Sequence, residues 1–235
     1  MNRIYRPLLW AGILGPVQFI VVDLIEGATR PGYNPIRHPV SSLSLTNAGW
    51  VNSVSITVNG LLVMLFALGV WAALRPARRT LGPLVLGLAG LGFVVAGVFT
   101  TDPAQGYPPG VPGGPALIHT LHGQIHYYNA VPTFGFLIIA FVTFALYFRS
   151  TGGWRGWSLY SAATAFVLLV CCVGFAISSA HDGPAGLIER ILLGLACIWI
   201  ILLAVRLLVR GGFDSVSEPT RTRAGMVTRS STQPC

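Results

Sequence analysis

No lysine occurs among the 235 residues, and charged side chains of every kind make up only 9 %, against about 25 % in ordinary soluble domains. A chain this poor in charge cannot cover a soluble surface of its size. The fifteen basic residues are all arginine and exceed the seven acidic ones by eight, yet they are spread along the chain rather than gathered into a basic stripe. That argues against nucleic-acid binding. The four cysteines, Cys171, Cys172, Cys197 and Cys235, have no metal-finger spacing and suggest no disulfide framework. HExxH and G-x-S-x-G are both missing, so neither a zincin helix nor a nucleophile elbow is written in the chain.

What the chain has instead is apolar length. Hydrophobic residues make up 53 %, the mean hydropathy is +0.69, and a spanning helix needs about 20 apolar residues. Runs of that kind fall at 7–27, 53–74, 80–100, 119–148, 157–179 and 186–209. The expectation is an all-α, polytopic transmembrane bundle of six helices over residues 1–210, followed by a disordered tail at 211–235. The first run follows Arg3 and Arg6 as a signal peptide would, but Asp23 and Glu26 stand where a cleavage site belongs. It therefore reads as an uncleaved span. Pro16, Pro83 and Pro132 fall within runs, and Gly82, Gly87, Gly90, Gly92 and Gly97 make the third run a close-packing surface.

Arginine placement orients the bundle. Arg3, Arg6, Arg75, Arg78, Arg79, Arg149, Arg155, Arg206, Arg210, Arg221, Arg223 and Arg229 fall on one side of a six-span topology, and only Arg30 and Arg37 lie in outer loops. By the positive-inside rule both termini are cytoplasmic, and the protein is expected in the cell membrane. Two proline-rich outer loops follow, one after the first span and one holding Pro103, Pro108, Pro109, Pro112 and Pro115. Together they form a lid over the outer helix ends.

This topology places all five histidines and five of the seven acidic residues on the outer side. The resulting expectation is an outward polar pocket for a small ligand, a lipid headgroup or a metal, with Asp23, Glu26, Arg37, His38, Glu189 and Arg190 as candidate ligand-binding residues. Asp23 and Glu26 are one turn apart on one helix face. An acid within a span normally faces a cavity or partner, and Arg190 is the preferred partner for Asp23. Anion or headgroup binding by Arg190 is the sharper alternative. Glu189 and Arg190 are adjacent, so they point about 100° apart, and at least one must face the bundle interior.

His119, His122 and His126, in "IHTLHGQIHYYN", fall within an arc of roughly 60° on a helical wheel. His122 and His126, four apart, have the spacing with which two imidazoles reach one metal, and zinc would need a third ligand. Asp102 is the candidate third ligand or general base, with His38 and His181 as other choices. Three readings stay open: a metal site, a hydrogen-bonded or proton-carrying cluster, and solvated interfacial histidines. Ser41 or Ser42 offers a speculative nucleophile, but helix capping is the commoner job of such serines.

The blocks "EGATRPGYNPIRHPVSSLS", "VFTTDPAQGYPPG" and "LHGQIH" resemble the bacterial and archaeal integral membrane family catalogued as domain of unknown function 998, over about residues 7–209. That resemblance implies about six helices and no established activity. A weaker one is to the intramembrane hydrolases that include alkaline ceramidases and adiponectin receptors, whose HxxxH pair, aspartate and serine surround zinc. His122, His126, Asp102 and Ser41 or Ser42 would fill those roles here. The departures are six spans rather than seven, and a pair on the fourth helix rather than the last. Three functions remain in play: an outward-facing binding protein, a metal-dependent hydrolase of a lipid or amphiphile, and a small proton-coupled transporter.

Overall fold

The computed structural model describes residues 5–74 and 80–210. It contains α1 (Arg6–Thr29), α2 (Trp50–Leu74), α3 (Leu81–Val98), α4 (Leu121–Arg149), α5 (Arg155–Ala180) and α6 (Ala185–Arg210), with one short 3-10 helix, Val40–Leu45, between α1 and α2. All six α-helices are long and apolar enough to cross a membrane. The 211–235 tail and the arginines at 3, 75, 78 and 79 lie outside the described residues. Helix ends fall within three residues of those expected, the largest difference being the start of α2 at Trp50 rather than residue 53.

Each helix packs on its neighbour in sequence, and α6 returns to α1, so the six form a closed ring. Glycine makes the joint between α2 and α3 tight. A Cβ on Gly60 would lie 2.6 Å from the Gly90 carbonyl oxygen, and one on Gly90 would lie 2.9 Å from that of Gly60. Backbones of α2 and α3 therefore meet directly, as small residues allow between membrane helices. Pro16 and Pro132 sit within helices, whereas Pro83 is in the first turn of α3, where no N–H is required of it.

The two ends of the bundle differ in chemistry. Near the end that carries the termini, Phe141, Phe144, Phe148, Trp154 and Trp199 are fully buried. Phe148 stacks on Trp154 at 4.8 Å, Phe141 meets Trp199 at 4.4 Å, and the Arg206 guanidinium lies 3.9 Å from the Trp154 ring centre. A cavity of about 280 Å³ opens at this end, among Leu74, Leu81, Pro83, Phe144, Thr143 and Tyr147. The opposite end is covered by the 30–49 and 99–120 segments and the tight α5–α6 turn. This is the capped end.

Candidate functional site

Arg190, one turn into α6, organises the capped end. Its Nε and Nη2 donate to the two Asp23 carboxylate oxygens at 3.2 and 2.8 Å. Nη2 also donates to the Tyr33 hydroxyl at 2.6 Å, and Nη1 donates to the carbonyls of Pro35, His38 and Gly186 at 2.7, 3.2 and 3.3 Å. All three guanidinium nitrogens are thereby engaged within the chain. The expected pair with Asp23 forms, and no nitrogen is left over to hold an anionic headgroup. Glu189 also turns inward and accepts from the Val40 N–H at 2.6 Å, so both neighbours face the bundle.

The first loop is held to α6 by its own backbone. Gly186 and Leu187 N–H donate to the carbonyls of Arg37 and Ile36 at 3.2 and 2.9 Å. These are orphan donors of a helix N-terminus, and the loop supplies their acceptors. A Cβ on Gly186 would run into the His38 carbonyl, which is why glycine stands there. Arg37 pairs with Asp182 in the α5–α6 turn, its Nε donating at 3.0 Å. Arg30 binds Glu26 and donates to the Thr46 hydroxyl at 2.9 Å.

His38 is fixed as the neutral Nε2-protonated form. Its Nδ1 accepts from the Asn34 N–H at 2.9 Å, and a nitrogen that accepts cannot also carry a proton. Burial holds its pKa below the ordinary histidine value, with a hydrogen bond to the Gln105 backbone opposing and Arg37 and Arg190 reinforcing. His38, Tyr33 and Tyr107 form a buried aromatic trio with ring centres 5.2 to 5.4 Å apart. Because Tyr107 comes from the second loop, this trio locks the two loops together. Burial also raises the pKa of Tyr33, so its hydroxyl stays protonated and donates to the carbonyls of His38 and Pro39.

The second loop caps α4. Asp102 accepts from the Thr120 hydroxyl at 2.6 Å and from the Thr120 N–H at 3.1 Å, and that hydroxyl accepts from the Gly123 N–H at 3.0 Å. Thr120 is thus the N-cap and Asp102 stands behind it, a carboxylate at the positive end of a helix. A side chain at 123 would overlap Asp102. This revises the histidine stripe. His119 precedes the N-cap and lies off the helix. His122 is exposed and packs against Phe99 at 5.1 Å. His126 points its Nδ1 at the Phe99 and Ala96 carbonyls, 2.8 and 3.1 Å away, and so serves the end of α3.

Among the described residues, no three His, Cys, Asp or Glu side chains come together as a metal-holding group. His122 is exposed while His126 is held at the Phe99 and Ala96 carbonyls, and Asp102 spends both oxygens on Thr120. Ser41 and Ser42 lie on the 3-10 helix, Ser42 buried, and neither hydroxyl is hydrogen-bonded to a histidine or carboxylate among the described residues. Sequence reading missed Tyr33, Gln105, Tyr107 and Thr120. Of these, Thr120 carried a legible signal, a threonine just before an apolar run.

A family model described as a protein of unknown function (DUF998) matches residues 13–206. Neither a curated protein nor a solved structure matches the chain. The matched region runs from within α1 to near the end of α6 and takes in both loops of the capped end. With six membrane-length helices among its described residues, the chain is a multi-pass membrane protein that belongs to the DUF998 family.

Proposed function

We propose that this is an outward-facing binding protein, which takes a small ligand or lipid headgroup at its capped end and passes occupancy to α4 and α6. One observation carries the reading: the loops that would meet a ligand are themselves the N-terminal caps of those two helices. A ligand that moves the loops changes how the helix ends are satisfied. The arginine distribution supports placing the capped end outside the cell membrane and the termini in the cytoplasm.

The hydrolase reading has less support, since Asp102 is committed to Thr120 and no third ligand joins His122 and His126 among the described residues. The transporter reading needs polar groups through the bilayer. Toward the terminal end, Ser161 is bonded to Trp199 at 3.0 Å and Thr164 to its own helix, which suits packing better than conduction. Transduction is tested with spin labels at Leu146 of α4 and Val209 of α6, both exposed near the terminal end, in a background whose native cysteines are replaced. Arg37→Gln, which breaks the pair with Asp182, should add a second population to the measured distances. An unchanged distribution would refute the coupling.

A further inference from the structure

We infer that the capped end binds one uncharged, hydroxyl-bearing group, the glycerol or sugar part of a lipid headgroup or of a free polyol, where the second loop covers the end of α5. The inference rests on the outward-facing reading above and gives it a ligand class and a place. Four side-chain oxygens of the second loop and the end of α5, Gln105 Oε1, Tyr107 Oη, Ser178 Oγ and Ser179 Oγ, are buried without a hydrogen-bond partner among the described residues. Gln105, Tyr107 and Ser178 are 4, 0 and 7 % exposed. Buried polar groups are nearly always satisfied, and each one left bare is costly.

Their placement is deliberate in a physical sense. Gln105 Nε2 donates to the Ser179 carbonyl at 3.2 Å. That carbonyl can only accept, so the amide orientation is settled and Oε1 is the bare atom. Gln105 holds this position with φ of 57°, a left-handed conformation that non-glycine residues rarely adopt and that clusters at functional sites. Gly183 and Gly113 bring the α5–α6 turn and the second loop into close contact with Ser178 and Asp182.

The chemistry of the four atoms selects the ligand. Gln105 Oε1 accepts only, and the three hydroxyls both donate and accept. The several hydroxyls of one polyol can between them donate to the first and accept from the others. A phosphate or carboxylate would set its acceptors against Gln105 Oε1, and none of the four oxygens carries the negative charge that a buried cation needs, while Asp182 of the adjoining turn is paired with Arg37. A membrane source is favoured by α5 itself. Phe166, Val170, Val173 and Ile177, spaced four, three and four apart, are 67, 54, 54 and 57 % exposed in a stripe that ends beside Ser178. An acyl chain along that stripe would bring its headgroup to the end of α5, where Ser178 and Ser179 lie and Gln105 is bonded to the Ser179 carbonyl.

The test uses the full chain in phosphatidylcholine nanodiscs, released into native mass spectrometry. The probes are monoglucosyl dioleoylglycerol, methyl glucoside as the free polyol, and dioleoyl phosphatidate as the charged comparator. Retention of the glucosyl lipid is expected, falling roughly five- to tenfold in Gln105→Gly and in Ser179→Ala, as for loss of one hydrogen bond. Gln105→Gly eases the left-handed backbone but also removes the bond from Nε2 to the Ser179 carbonyl, so Ser179→Ala, which leaves that bond in place, separates binding from folding. Retention of methyl glucoside in place of the lipid assigns the site to a free polyol. Retention of neither, equal retention of phosphatidate, or retention indifferent to both substitutions overturns the inference. Neutral-ligand binding with unmoved spin-label distances would remove the transduction reading and leave this site standing, while moved distances without binding would do the reverse.

Discussion

His38 shows how one side chain at the capped end ties stability to pH. Its Nδ1 accepts from Asn34, so protonation would set an N–H against an N–H. The folded-state pKa lies below the unfolded value of about 6.5, and the unfolded chain therefore takes up the proton first. Stability is full above about pH 6.5 and falls as the pH drops through that value toward the folded pKa. Thermal unfolding in detergent between about pH 7.5 and pH 5 should show this loss, and His38→Asn, which keeps an acceptor but does not titrate, should lessen it. Identical slopes for the two chains would contradict the assignment. The same scale shows the limits of reading a sequence. Asp23 and Arg190 were legible as partners because each is a charge that a span must neutralise. The histidine stripe was not, because a helical wheel assumes that the helix has already begun at His119, and Thr120 decides otherwise.

At the scale of elements, the loops act as structural parts of the helices that they cap. Gly186 is the sharpest probe. Gly186→Ala puts a methyl group against the His38 carbonyl, so the first loop must leave α6 or α6 must shift. A loss of roughly 1–3 kcal/mol is expected, together with faster proteolysis within residues 30–49 under native conditions. Wild-type stability and protection would mean that the loop is not seated on α6. The spans themselves were readable because twenty apolar residues leave the backbone one way to satisfy itself in a bilayer. The loop structure was hidden, because its contacts join residues far apart in the chain, such as Val40 with Glu189 and Gln105 with Ser179. No local pattern announces them.

For the whole molecule, an even number of spans puts both ends of the bundle's chain on one side, and the arginines choose which. A cysteine at Asn47, exposed in the first loop, should react with a membrane-impermeant maleimide on intact cells, and one at Gly152, exposed between α4 and α5, only after lysis. The reverse pattern would invert the topology and move the proposed binding site indoors. The ring has a further consequence for how such a protein is made. Every joint of the ring but one can form as soon as the next segment enters the bilayer. The exception is the joint between α1 and α6, and that joint carries the ion pair of Asp23 with Arg190, residues 167 positions apart. Synthesis therefore commits an acid to the membrane five helices before its counter-charge arrives. The last helix completes the first, and a chain halted before Arg190 leaves Asp23 in the membrane without its counter-charge.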